Sequence, residues 1–498
     1  MKRFITKLIL VITVLTLTPS TILAEEVEIN GINYELITKA KIATVIAKTP
    51  KYSGDIVIPS TIENEGITYN VTSIGEKAFY SCDNLNTLDI PNSVTSIGND
   101  AFGFCSGLKS INIPNSVTSI GENAFCWCKA LTFVNIPNSV TSIRDGAFYG
   151  CTGLTTIDIP KSVTSIGKET FTQCSNLASI FVNANNTTYD SRNNCNAIIE
   201  KTSNTLIIGC KNTIIPNSVT SIGNSAFVFC SGLKFINIPN SVTSIGELAF
   251  GGCSNLTSID IPNSVTTIGK AAFSDCSALE SVVLGDGVSI ISEYTFQSCE
   301  KIKAITLGSN ISIISISNFY NCKDLEIVTC KATSVPSLDN KIIDPYSKSL
   351  FENCYIEYAT LIVPDESIDA YKSTAPWSDF GTIKGLSGQT SEIEKCATPT
   401  INFTNGKLTF TCDTEGATCQ SSIKAPDAGS YSDNEIQLGM TYTVEVYATK
   451  PGYDDSDVAT MTIDLSEGAG KIKGDINGDG YVNMSDVTEI INIILGKQ

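Results

Sequence analysis

Residues 108–131 read LKSINIPNSVTSIGENAFCWCKAL, and this stretch decides the fold because its pattern returns along most of the chain. Within it, Phe125 is followed three residues later by Cys128, and ten such pairs recur, most of them 23 residues apart. A fixed period of this size is typical of stacked coils, each too small to bury its own apolar side. The sequence therefore predicts a solenoid, which offers one long surface for binding. The ten phenylalanines are Phe79, Phe102, Phe125, Phe148, Phe171, Phe227, Phe250, Phe273, Phe296 and Phe319.

Each coil has two predicted parts. The segment from Leu108 to Ile113 alternates apolar and polar residues, which predicts a short strand. Pro114 ends that strand, because proline has no N–H to donate to a ladder. The segment from Ala124 to Cys128 has the spacing of one short helical turn. We therefore expect a mainly β solenoid with short helical turns, in which the Phe positions form a continuous apolar ladder.

The repeat resembles the leucine-rich repeats of the BspA-like bacterial surface proteins. The resemblance is carried by Ile-Pro-Asn-Ser-Val-Thr-Ser-Ile-Gly at residues 113–121, 215–223 and 238–246, each followed by Ala-Phe-x-x-Cys. It covers roughly residues 56–330 and implies a leucine-rich-repeat solenoid. It also implies adhesion to host extracellular proteins or to other cells.

Composition excludes several classes of function. The formal net charge of −18 argues against a nucleic-acid partner, whose phosphates would be repelled. The chain has no histidine, which removes Ser-His-Asp and Cys-His nucleophiles and His-ligated zinc. The repeats place no nucleophile beside a base, so no catalysis and no catalytic residues are predicted.

The first 24 residues have the features of a secretion signal: a basic start, an apolar run from Leu8 to Leu17, and a small residue, Ala24, before the expected cleavage. We therefore predict a secreted or cell-surface protein with no membrane span in the mature chain. The predicted domains are a signal peptide at 1–24, an N-terminal cap at 25–55, leucine-rich repeats at 56–329 with a hairpin insertion near 183–213, a C-terminal cap without repeats at 330–386, a linker at 387–395, a β-sandwich at 396–466 and a calcium segment at 467–498.

Eighteen cysteines in a secreted chain raise the question of disulfides. The ten ladder cysteines are predicted to be buried and to act as small apolar residues, because each occurs once per coil. Two other pairs are disulfide candidates. Cys195 is expected opposite Cys210 in the insertion hairpin, and Cys412 opposite Cys419 in a second hairpin.

The C-terminal region contains two predicted modules. Residues 396–466 alternate in the manner of a small antiparallel sandwich and resemble immunoglobulin or fibronectin-like modules. Residues 475–486 place oxygen ligands at the spacing that calcium requires. This segment resembles a single dockerin repeat, which implies a cohesin-like or other surface-assembly partner. The predicted calcium ligands are Asp475, Asn477, Asp479, the Tyr481 carbonyl, Asn483 and Asp486.

The predicted ligand face consists of outward residues of the repeat strands. It is mostly neutral, with a few aromatics, which suits an extracellular protein or a glycan. The first hypothesis is thus a secreted or surface binding and adhesion protein. The alternative is a structural or accessory subunit of a surface assembly, for example a polysaccharide-processing one, recruited through the calcium segment. The face residues are Asp89, Asn112, Phe133, Asn135, Asp158, Phe181, Phe235, Asn237 and Asp260.

Overall fold

The computed structural model describes residues 25–339, 349–388 and, further on, 396–404, 407–414, 417–424, 431–432, 435–436, 441–449, 456 and 458–464. Its repeat region is a mainly β solenoid, as predicted. The strands that form its long side each pair in parallel with a strand of a neighbouring coil, and we call them the face strands. They are Leu85–Asp89, Ser110–Asn112, Phe133–Asn135, Thr156–Ile159, Ser179–Val182, Ser258–Ile261, Ser281–Leu284, Ala304–Leu307, Ile327–Cys330, Thr360–Val363 and Thr382–Gly385.

A second ladder of short strands runs along another side of the solenoid and was not predicted. In it, Ser119 pairs with Ser142 and Ile120 with Ile143, again in parallel. The isoleucines are buried, so each coil contributes a second inward residue. Most of these strands span two residues, which is too short to show the alternation that identifies a strand. They are Ser96–Ile97, Ser119–Ile120, Ser142–Ile143, Ser165–Ile166, Ser221–Ile222, Ser244–Ile245, Thr267–Ile268, Ile290–Ile291, Ile313–Ser315 and Ser337–Asp339.

The third side carries the Ala-Phe-x-x-Cys segments, and there the predicted helical turn is wrong. These segments are successive turns, because Asn123 and Trp127 have positive φ values of 51° and 59°. A left-handed residue turns the following amide away from the helix direction. Alternate amides therefore donate to the next coil, as from Phe125 N to the Ala147 oxygen at 2.8 Å. We call this the turn side.

The phenylalanine spine is the core of the solenoid. The Phe125 ring is stacked 5.1 Å from that of Phe102 and 5.3 Å from that of Phe148. Tyr52 covers the N-terminal end of the stack, 4.7 Å from Phe79. Because the rings are fully buried and nearly parallel, each coil adds one layer to a dry column.

The column extends further than predicted. The Phe351 ring stacks 5.5 Å from Phe319, and the Cys354 thiol donates to the Phe319 carbonyl. The expectation that residues 330–386 carry no repeat is therefore wrong. The spacing of 32 residues from Phe319 to Phe351 hides this eleventh pair from a search at period 23. Trp377, packed edge-on against Phe351 at 5.6 Å, then closes the column.

The ladder cysteines have a hydrogen-bonding role beyond apolar packing. The Cys128 thiol donates to the Phe102 carbonyl at 3.1 Å, and Cys151 donates to Phe125 at the same distance. Burial raises the pKa of both thiols. Each coil is thus tied to the preceding one by a side chain small enough to fit beside the rings.

We expect ladder thiols such as Cys128 and Cys253 to resist iodoacetamide in the native protein at about pH 8, because they are buried and their thiolates are disfavoured. Cys126 is half-buried, and burial raises its pKa to about 11, so it should react slowly and faster as pH rises. Peptide mass spectrometry before and after unfolding measures this. Equal labelling of Cys126 and Cys128 in the native protein would contradict the buried ladder.

The insertion between Phe171 and Phe227 separates two hydrophobic cores. Its hairpin pairs Ala197 with Gly209 and Ile198 with Ile208, but a bulge then pairs Ile199 with Leu206. Because successive strand residues point to opposite faces, Ile198 belongs to the N-terminal core, whereas Ala197 and Ile199 belong to the C-terminal core. The insertion comprises the strands Tyr189–Asp190, Ala197–Glu200 and Thr205–Gly209 and the 3-10 turn Arg192–Asn194.

The register shift at this bulge explains why the predicted Cys195–Cys210 pair does not form. The Cys210 thiol lies against the Asn196 carbonyl, 3.3 Å away, and Cys195 is packed in the other core. All eighteen cysteines are free thiols, so the Cys412–Cys419 candidate is not bonded either.

The remaining elements close the ends of the solenoid or follow it. The N-terminal strands continue the short-strand ladder, with Ile42–Val45 beside Ile67–Ile74. In the C-terminal region the described strands form three small antiparallel sheets. The N-terminal strands are Glu25–Ile29, Ile32–Ile37, Ile42–Val45, Gly54–Val57, Thr61–Asn64 and Ile67–Ile74. The C-terminal cap has the helix Ile368–Lys372 and 3-10 turns Ile356–Tyr358, Asp365–Ser367, Trp377–Asp379 and Leu386–Gly388. The later strands are Thr400–Thr404, Lys407–Thr411, Thr418–Lys424, Tyr431–Ser432, Glu435–Ile436, Thr441–Thr449 and Ala459–Asp464.

Candidate ligand-binding face

The face strands align outward side chains in rows that run from coil to coil. Parallel pairing places Asn112 beside Asn135, and Asp158 beside Phe181. Along each face strand, the residues that alternate with these point inward, as Ile111 does, and are buried. The geometry therefore brings the predicted polar residues of neighbouring coils together on one surface.

The nine predicted face residues differ in exposure. The exposed ones are Asp89, Asn112, Asn237 and Asp260. The half-buried ones are Phe133, Asn135, Asp158, Phe181 and Phe235. The three phenylalanines are only partly accessible, because neighbouring groups cover part of each ring. Phe235 and Asn237 also lie in an extended segment, 233–239, that is not assigned as a strand.

Phe235 contacts the chain's own C-terminal region. Its ring centroid lies 6.1 Å from that of Tyr447, in an edge-on arrangement. Tyr447 belongs to the strand Thr441–Thr449, which pairs on both sides with other strands of that region. A ligand at this part of the face would therefore meet Tyr447 as well as the repeats.

The electrostatics of the face are mildly acidic. Asp260 keeps contact with water, yet desolvation by surrounding protein atoms raises the pKa of its carboxyl group. A raised pKa means that the charged form is less stable than in open solvent. A hydrogen-bond donor on a ligand would relieve that cost.

The face has an apolar continuation beyond the nine predicted residues. Val283, beside Asp260 in the ladder, is 41 % exposed, and Ile327 two coils further is 40 % exposed. Both are outward residues of face strands, so the alternation pattern contained the signal. Apolar side chains left in solvent on a binding face are candidates for ligand contacts.

The predicted calcium ligands from Asp475 to Asp486 lie outside the described residues, so the calcium segment stays a prediction. Among the residues that the structure describes, no group of three Cys, Asp or Glu side chains is placed to hold a metal ion.

The stacked coils, parallel face strands and buried Phe and Cys ladders define a leucine-rich-repeat solenoid. Comparison with protein families specifies the type: residues 97–205 and 198–326 match the BspA type leucine-rich repeat region, in six copies. This part of the chain therefore carries BspA type repeats. No protein with a curated description matches the chain.

One solved structure supports the fold, and two others are similar over much of their length. The chain is similar to the pneumococcal vaccine antigen PcpA, with 21 % identity, a TM-score of 0.56, and coverage of 72 % of this chain and 98 % of that one. It also matches a leucine-rich cell surface protein from Faecalibacterium prausnitzii A2-165, with 24 % identity, a TM-score of 0.42, and coverage of 73 % and 95 %. A leucine-rich repeat protein from Bacteroides ovatus ATCC 8483 matches with 24 % identity, a TM-score of 0.44, and coverage of 72 % and 99 %.

Helices are few and short in the part of the chain that the structure describes. Over the described residues, none combines the length and the apolar character needed to cross a bilayer.

Proposed function

We propose that this chain is a secreted or cell-surface protein that binds an extracellular protein or a glycan through its face strands. The observation that carries the proposal is the alignment of outward polar side chains in rows, such as Asn112 beside Asn135, over a buried apolar interior. A rigid repeated surface of hydrogen-bonding groups is what solenoids use to hold extended partners. The BspA type of the repeats and the secretion signal predicted at residues 1–24 support the location.

The face suits recognition rather than chemistry. Its predicted members are amides, three carboxylates and three phenylalanines, without a lysine or an arginine. Amides both donate and accept hydrogen bonds, and half-buried aromatics supply contact area. Such a mixture fits neutral or weakly polar ligands.

The test compares two substitutions of the same residue type in one coil. Asn112→Arg places a long cation on the face, whereas Asn115→Arg places it on an exposed turn after Pro114. We expect Asn112→Arg to weaken binding to a panel of host extracellular-matrix proteins and glycans by about tenfold or more, because it blocks and charges the contact surface. Surface plasmon resonance measures the affinity. Equal weakening by both variants would contradict a role for this face.

The accessory-subunit alternative rests on the calcium segment, which the sequence alone supports. Deleting residues 467–498 separates the two functions. Binding to the panel should survive the deletion if the repeats recognise the ligand. Loss of binding on deletion would instead favour recruitment through the calcium segment.

A further inference from the structure

Four aromatic residues form a line on the turn side of the N-terminal coils. Tyr80, Phe104, Trp127 and Tyr149 come from four consecutive coils, and we call them the aromatic stripe. Successive ring centroids lie 5.4, 6.4 and 5.7 Å apart. The stripe is separate from the Phe spine, because Phe104 is 40 % exposed while every ring of the spine in these coils is buried.

Two members of the stripe occupy backbone positions that disfavour them. Phe104 and Trp127 have φ values of 62° and 59°, which bulky side chains rarely adopt. In other coils the same position also has a positive φ, whether it holds glycine, as at Gly252, a polar residue, as at Gln173, or an aromatic one, as at Phe229. The conformation therefore belongs to the repeat itself, and what distinguishes the stripe is the succession of rings from coil to coil.

The neighbouring coils leave room for the rings. A Cβ atom at Gly103 would lie 3.0 Å from Cδ2 of Tyr80, and one at Gly150 would lie 2.6 Å from Cδ2 of Trp127. Glycine at these two positions therefore allows the rings of Tyr80 and Trp127 to lie against the backbone of the next coil. The backbone of the neighbouring coil thus supports these rings, while part of each ring stays accessible to solvent.

Two lysines place positive charge on the stripe. Lys51 Nζ lies 5.9 Å from the Tyr80 centroid, and Lys129 Nζ lies 5.3 Å from the Trp127 centroid. Over the described part of the chain neither lysine forms an ion pair, whereas Lys270, which stands over Tyr294, pairs with Glu293 at 3.3 Å. The cations on the stripe are thus available to an anionic ligand.

We propose that the aromatic stripe binds an acidic glycan, with sugar C–H groups against the solvent-accessible parts of the rings and carboxylates at Lys51 and Lys129. Aromatic rings present flat apolar surfaces to the C–H groups of sugars, and the lysines complement a carboxylate in charge. The rings repeat once per coil, at a step comparable to that of successive sugars in an extended glycan. This site lies on a different side of the solenoid from the face strands, and it does not depend on them.

The test uses the full chain on a glycan array that carries uronate- and sialate-containing oligosaccharides and their neutral counterparts. We expect acidic glycans to bind, and we expect Trp127→Gly to weaken that binding by about tenfold or more. Glycine occupies the same coil position at 150 and 252, so this variant should keep its fold, which thermal melting by circular dichroism checks. Lys129→Gln should weaken the binding of acidic glycans and lower its dependence on salt concentration.

Phe229→Gly is the matched control. Phe229 has the same coil position, a φ of 54° and an exposure of 45 %, but no other ring of the described chain pairs with it. The Phe229→Gly variant should bind acidic glycans as the natural chain does. Three results would overturn the proposal. They are the absence of any acidic glycan whose binding Trp127→Gly weakens, an equal loss of binding in Phe229→Gly, and a preference of the protein for the neutral counterparts. The strand-face variant Asn112→Arg should leave this binding unchanged, so the two sites can fail separately.

Discussion

Replacing Phe125 by alanine should lower the free energy of unfolding by about 3–5 kcal/mol. The Phe125 ring is fully buried between those of Phe102 and Phe148, at 5.1 and 5.3 Å. Its removal leaves a cavity that two flat neighbours cannot fill without moving whole coils. Urea unfolding followed by circular dichroism measures the loss.

Phe229→Ala serves as the control for this experiment. The Phe229 ring is 45 % exposed and lies two residues from the spine residue Phe227. Its truncation should change stability little, because it removes an exposed side chain. If both variants lost the same stability, the buried column could not be the main source of cohesion.

The second large effect is expected at the junction of the two cores. A Cβ atom at Gly209 would overlap with Cε1 and Cζ of Phe227, the first ring of the C-terminal array. We therefore expect Gly209→Ala to destabilise the protein by about 1–3 kcal/mol through overpacking. Urea unfolding again gives the value.

A compensating change tests the cause. Phe227→Leu makes space at the ring position, so the double variant Gly209→Ala, Phe227→Leu should be more stable than the sum of the single effects predicts. Strict additivity would show that the glycine is needed for some other reason than contact with this ring.

The period of 23 residues was enough to predict the solenoid, the spine and the buried cysteines, because each depends on one strongly apolar position per coil. The short strands escaped prediction because two residues carry no visible alternation. The helical turn was predicted from the i, i+3 spacing of Phe125 and Cys128. That spacing does not reveal the left-handed residue at Trp127, which redirects the amides to the next coil.

The candidate sites were predictable to different degrees. Alternation identified the outward rows, but it could not show that Tyr447 would cover part of Phe235, since that contact joins residues 212 positions apart. The Cys195–Cys210 alignment failed because a bulge shifts the register by one residue, and a bulge leaves no simple mark in sequence. The aromatic stripe combines residues from two different positions of the repeat, so no single column of the pattern displays it.

The bulged hairpin at Ala197–Gly209 has a mechanical consequence. Ring stacking is continuous within each array, but over the described residues no ring pair joins Phe171 to Phe227. When a solenoid is held at one end and pulled at the other, it separates first where the stacking between neighbouring coils is interrupted. Under a stretching force, an anchored molecule should therefore extend in two steps. The two arrays separate at the hairpin first, and the coils on either side unfold only afterwards.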